Sequence, residues 1–247
     1  MRYNKKKRIL CTVAAVFILT AAVFAVYVSD FYHASDEAAL AMTTLADDDS
    51  IVIWETGRDI VFEPQNATKG FIFYPGGKVE ARAYTPLMRQ LSERGILCVL
   101  MKMPCNLAVL DINAADDILG QFPEVEAWYI GGHSLGGSMA ASYAADNHEA
   151  LQGLVMLAAY STQDLRESGL KVLSLYGSND GILNQEKYAE YRTKLPADAA
   201  EIIIEGGNHA GFGSYGEQEG DGKAGIKREE QVAQTVSAIC ELIESEY

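Results

Sequence analysis

The chain has 247 residues and a formal net charge of −14, with 49% hydrophobic and 22% charged residues. That composition excludes a disordered chain, and six prolines with aperiodic glycines exclude a fibrous one. Five of the 20 basic residues and none of the 34 acidic ones fall in the first 28 positions, so the remainder offers no basic footprint for phosphates and no nucleic-acid partner is expected.

Residues 9–28, ILCTVAAVFILTAAVFAVYV, carry no charge. At about 1.5 Å per residue a helix of this length spans a hydrocarbon core of about 30 Å. Arg2, Lys5, Lys6, Lys7 and Arg8 directly precede it, which predicts a cytoplasmic tail over 1–8 and a body outside the cell membrane. A single-pass signal anchor is the favoured reading. A cleaved signal peptide is the alternative, because Val23-Phe24-Ala25 has small residues at cleavage spacing, which would make the protein secreted. Residues 29–50 are small and polar, end in Asp47-Asp48-Asp49, and read as a stalk with some helix over 36–45.

A single domain is expected over 51–247. Short apolar runs predict strands at 51–55, 60–63, 70–74, 96–101, 127–131, 153–158, 172–176 and 201–205. Helical stretches lie between most of them, at 81–94, 113–122, 134–147, 184–194 and 227–246. The tight turn Thr56-Gly57-Arg58 joins the first two strands as an antiparallel hairpin. Runs such as ILCVLM are apolar on both faces, as in parallel strands covered by helices on both sides. The expected fold is therefore α/β, with an eight-stranded, mostly parallel sheet.

Gly132-His133-Ser134-Leu135-Gly136 follows the strand WYIGG and opens the small-residue helix SMAASYAA. This is the strand–turn–helix context of a G-x-S-x-G nucleophile elbow, with Ser134 as nucleophile. A serine needs a base, and only four histidines exist. His33 lies in the stalk, His133 inside the elbow and His148 past the elbow helix, leaving His209 in EGGNHAGFG. Asp180, in Gly177-Ser178-Asn179-Asp180-Gly181 after the seventh strand, is the expected acid. The oxyanion donors are expected from the N–H of Leu135 and from the loop FIFYPGGKV, with Gly77 first and Lys78 second. No cofactor and no metal are expected; Cys11, Cys98, Cys105 and Cys240 lack metal-ligand spacing, and pairing of Cys98 with Cys105 stays open.

These motifs together resemble the α/β-hydrolase fold serine hydrolases, of the small lidless kind grouped with dienelactone-hydrolase-like proteins. The resemblance covers 51–247 and rests on PGG, GHSLGG, GSND and GGNHAGF. Pro75 stands where the family loop often has a histidine, and Ser134 where dienelactone hydrolases proper have cysteine. It implies a hydrolase acting on a small-molecule ester or related acyl substrate through a Ser-His-Asp triad; the membrane attachment is read from residues 9–28 alone. An acyltransferase using the same triad, or a non-catalytic surface binding domain on the same fold, are the alternatives. Only 11 residues, 159–169, occupy the place of the family's lid. The glycine-rich stretch 210–226 is a candidate cover for the site, and 102–111 a candidate wall.

Overall fold

The structure, a computed structural model, describes residues 2–43 and 50–245. It divides into two units, 1–31 and 32–247. In the first, helix α1 (Arg2–Ser29) contains a stretch of 25 residues, Lys5–Ser29, long and apolar enough to cross a membrane. Its apolar side chains, including Ile9, Phe17 and Val26, are exposed within the protein.

The second unit holds β1 (Ile51–Glu55), β2 (Asp59–Pro64), β3 (Lys69–Tyr74), β4 (Leu97–Met101), β5 (Ala127–His133), β6 (Gly153–Leu157), β7 (Lys171–Gly177) and β8 (Ala200–Ile204). All eight lie where the apolar runs put them. They form one sheet in the order β1-β2-β4-β3-β5-β6-β7-β8. β2 pairs antiparallel with both β1 and β4, and every other pairing is parallel.

Side chains alternate across the pleat with period two. Phe71 and Phe73 of β3 enter one core with Tyr84, Leu87, Leu91, Val236 and Ile239. Ile72 and Tyr74 enter the other, with Val99, Ile130, Ala140, Tyr143 and Leu154. Helices therefore cover both faces: α3 (Thr85–Ser92) and α7 (Arg228–Glu244) on the first, α5 (Leu135–Asp146) on the second. That double burial is why the central strands are apolar without alternation.

Two helices are shorter than the sequence predicts. The stretch 81–94 starts as a 3-10 turn, Ala81–Tyr84, before α3. Pro86 lies in the first turn of α3, where its missing N–H costs no helical hydrogen bond; placed further inside a longer α-helix it would break one. The stretch 113–122 keeps only α4 (Asp116–Leu119), closed by Gly120 with Pro123 beyond it. The helix α6 (Gln185–Arg192) and α7 fall within their predicted ranges.

The expected stalk differs more. From Tyr32 to Thr43 the chain is docked on the domain, with α2 (Asp36–Leu40) in its middle. Tyr32 makes a parallel bridge to Val79; its N–H donates to the Lys78 carbonyl at 2.8 Å, and the Glu80 N–H donates to its carbonyl at 2.9 Å. Ala38 is fully buried and Thr85 Oγ1 donates to its carbonyl at 2.6 Å. The Tyr32 ring packs 5.5 Å from that of Tyr215. Small residues let this segment lie flat on the domain, so composition alone read it as a spacer. Residues 44–49, with the Asp47–Asp49 triplet, lie outside the described residues.

Candidate active site

β3 pairs with β4 on one side and β5 on the other, so the chain reverses direction of travel across the sheet at β3. Sites in open α/β sheets form at such a switch point, beyond the carboxyl ends of the strands. The loop after β3 and the turn after β5 both end there.

Ser134 sits between β5 and α5 with φ 53° and ψ −121°, a conformation that non-glycine residues adopt only under constraint. The constraint is packing. A Cβ on Gly136 would lie 2.1 Å from the Pro75 carbonyl oxygen, so only glycine lets the start of α5 press against the β3 loop. The Ser134 N–H donates to the Leu157 carbonyl of β6 at 2.9 Å, and its own carbonyl accepts from Ser138 N–H at 3.1 Å. Leu135, first residue of α5, has its N–H ahead of the helical ladder.

The loop Gly76–Val79 uses its amides unequally. The Gly76 N–H donates to Tyr84 Oη at 3.1 Å, Lys78 N–H to the Asn106 carbonyl at 2.8 Å, and Val79 N–H to the Gly76 carbonyl at 3.2 Å. Among the described residues the Gly77 N–H alone of these four meets no acceptor. A Cβ on Gly77 would lie 2.9 Å from Leu135 Cδ2, so the residues bearing the two expected donors touch.

Asp180 and His209 are joined. His209 Nδ1 lies 2.9 Å from Asp180 Oδ2, and both side chains are out of solvent. The other carboxylate oxygen accepts the Ile182 and Leu183 N–H groups, each at 2.8 Å. Asp180 is thus held by backbone on one side and faces the imidazole on the other. His209 Nε2 is buried and makes no hydrogen bond among the described residues. None joins it to Ser134 Oγ, so the structure pairs Asp180 with His209 and leaves Ser134 half-buried without a hydrogen bond to either.

Sequence reasoning passed over two buried groups here. His133, set aside because it lies within the elbow, packs against His209 with ring centroids 4.5 Å apart and the planes tilted by 51°. Its Nδ1 is 2.8 Å from Tyr84 Oη. The same phenol oxygen accepts the Gly76 N–H, so Tyr84 links the loop after β3 to the elbow imidazole. Burial, reinforced by nearby His209, keeps the His133 pKa well below the ordinary value. The ring is therefore neutral where it meets His209. Burial likewise pushes the Tyr84 phenol up, so it stays protonated as a donor. No motif marks Tyr84, whose role depends on where α3 docks.

The stretch 210–226, expected as a cover, acts as a buttress over the contacts it makes. Ala210–Tyr215 is buried, with Phe212 5.6 Å from the His133 ring. Beyond it, Asn208 Nδ2 donates to the Gly222 carbonyl at 2.8 Å and Asn179 Nδ2 to the Lys223 carbonyl at 3.0 Å. A Cβ on Gly222 would lie 1.9 Å from the Asn179 carbonyl oxygen, so the loop packs directly on the turn that carries Asp180. The wall expected at 102–111 supplies the Asn106 carbonyl and two exposed apolar side chains, Val109 and Leu110. No helix occupies 159–169. All four cysteines are free, Cys98 and Cys240 buried and Cys105 exposed. Among the described residues no group of three or more His, Cys, Asp or Glu side chains is arranged to hold a metal.

A family model described as the alpha/beta hydrolase family matches residues 70–233, the span from β3 into α7. The chain belongs to the alpha/beta hydrolase family. Solved structures similar to this hydrolase agree on its fold. A dienelactone hydrolase from Anabaena variabilis superposes with a TM-score of 0.60 at 15% identity, covering 79% of this chain and 100% of its own. TT1662 from Thermus thermophilus gives 0.58 at 13%, covering 79% and 99%. A "predicted CIB-like hydrolase" from Thermoplasma acidophilum gives 0.56 at 16%, covering 76% and 98%. No curated protein matches this hydrolase in sequence.

Proposed function

We propose that the protein is a membrane-anchored serine hydrolase that cleaves an ester or related acyl bond. The observation that carries this reading is the buried Asp180–His209 hydrogen bond of 2.9 Å, with the second imidazole nitrogen unbonded. Catalytic hydrogen bonds are often long before substrate binds, so the unformed Ser134–His209 bond is compatible with it.

Ser134 Oγ attacks the acyl carbonyl while His209 Nε2 takes its proton. The imidazolium so formed is stabilised by Asp180, which also fixes the Nδ1–H tautomer. The carbonyl oxygen becomes an oxyanion and receives the Gly77 and Leu135 N–H groups. Two preorganised amides at a helix start stabilise that charge without reorganisation, and each is worth about 3 kcal/mol in such sites. The tetrahedral centre then collapses, the C–O bond to the leaving alcohol breaks, and His209 returns the proton to that alcohol. Water, deprotonated by His209, attacks the acyl-serine in the same way and releases the acid.

The span Lys5–Ser29 is the proposed anchor, with the domain extracytoplasmic. The substrate is a small acyl molecule taken up on an open face, since 159–169 forms no cap. Replacing Ser134 with alanine is expected to lower hydrolysis of short p-nitrophenyl esters by about 10⁶-fold and to abolish fluorophosphonate labelling. Full labelling of the folded variant would overturn the assignment. Product analysis with added alcohols separates hydrolysis from acyl transfer.

A further inference from the structure

We propose that Asp221 is a positioning residue for the Asp180–His209 pair, an inference that rests on the serine-hydrolase reading above. Its carboxylate reaches both halves of the pair at once. Oδ1 accepts N–H groups from Gly181, the residue after the acid, at 3.1 Å, from His209 itself at 3.2 Å, and from Gly222 at 2.8 Å. Oδ2 accepts the Ala210 N–H at 2.8 Å. One side chain thus ties the acid's turn to the base's backbone, 12 residues after His209 in sequence.

The bonds matter because the acid and base come from separate loops. Asp180 follows β7 and His209 follows β8, and nothing covalent nearby sets their spacing. The His209 backbone begins a single 3-10 turn, Ala210–Phe212, too short to orient it by helical hydrogen bonding. Asp221 accepts the first two amides of that turn and so fixes its axis. The tie is itself secured, since Gly222 packs on Asn179 and Asn208 holds the Gly222 carbonyl. Asp221 touches neither substrate nor the reacting atoms in this scheme. It acts through where it holds the imidazole.

Misplacing a catalytic group by about 1 Å can cost about 10²-fold in rate. The test compares wild type, Asp221→Ala, Asp221→Asn and Ser134→Ala with a p-nitrophenyl ester. Active sites are titrated with a fluorophosphonate, so that kcat is expressed per competent site. Asp221→Ala is expected to lower kcat per titrated site by about 10²-fold with KM unchanged. Asp221→Asn keeps an acceptor for the Oδ1 bonds and loses the Ala210 bond, so it recovers most of that kcat while staying several-fold below wild type. Wild-type kcat per titrated site in Asp221→Ala overturns the proposal, even if fewer sites are competent or melting falls, because that is the behaviour of a scaffold residue. Should the alanine variant not fold, Asp221→Asn decides by the same criterion. Activity retained in Ser134→Ala would instead sink the underlying reading, independently of Asp221.

Discussion

His133 is the residue whose environment most limits what the site tolerates. It is 1% exposed, hydrogen-bonded to Tyr84, packed at a tilt against the His209 ring and held neutral by burial. A histidine whose pKa is lowered by folding binds a proton in the unfolded chain before it does in the native one. The unfolded state is then favoured as pH falls below the ordinary value of 6.5, and stability present above that pH is lost on the way down to the depressed native value. The expected slope from this one group approaches about 1.4 kcal/mol per pH unit. Melting temperatures of wild type and His133→Asn between pH 7 and about pH 5 check it: the variant's curve should be flatter. Parallel curves would show that His133 titrates normally in the fold. At this scale Ser134, Asp180 and His209 were legible as candidates, because each stands in a short local pattern. Tyr84, His133 and Asp221 were not, because Tyr84 and His133 meet across 49 residues and Asp221 meets backbone groups 12 and 40 residues away that carry no sequence identity.

Among the elements, the segment 32–43 departs furthest from its sequence reading. It is attached to the loop that carries Gly77, since the Tyr32 N–H holds the Lys78 carbonyl while Asn106 holds the Lys78 N–H. Clamping Lys78 from both sides fixes the peptide planes next to the free amide. The protein shortened to begin at Ile51 therefore loses several hydrogen bonds and the burial of Ala38 and Tyr32. At about 1 kcal/mol per hydrogen bond, a loss of about 3 kcal/mol is expected, or about 6–12 °C in melting temperature. Hydrolysis should fall with it, chiefly in kcat, as the loop proposed to bind the oxyanion through Gly77 loosens. A version beginning at Tyr32 should retain both. Equal melting and activity in the two shortened forms would show the segment to be passive. The strands themselves were read correctly because buried parallel strands are uniformly apolar. The two helices read too long ran back beyond Pro86 and on through Gly120, whose local chemistry overrode the periodicity.

On the whole-molecule scale the chain is two objects, an exposed apolar helix and an acidic hydrolase domain. If the helix is retained as an anchor, the full-length protein stays with membranes through alkaline extraction, and its intact mass includes residues 1–28. A soluble form beginning near Val26 would identify a cleaved signal peptide instead. The domain's share of this picture is fixed by the sheet order, which brings the loops after β3, β5, β7 and β8 to one edge.

Sequence by itself determined the fold class, the apolar N-terminal segment and the catalytic candidates Ser134, Asp180 and His209. Each depends on local or periodic properties: an apolar run, a charge flank, a glycine-framed turn. Tertiary structure decided the rest. It brought Asp180 within 2.9 Å of His209, left Gly77 and not Lys78 with an open amide, and turned a presumed spacer and a presumed cover into supports. Those outcomes rest on hydrogen bonds between groups far apart in the chain, many of them backbone groups. Every residue but proline carries such groups alike, so no pattern of side chains announces which will meet.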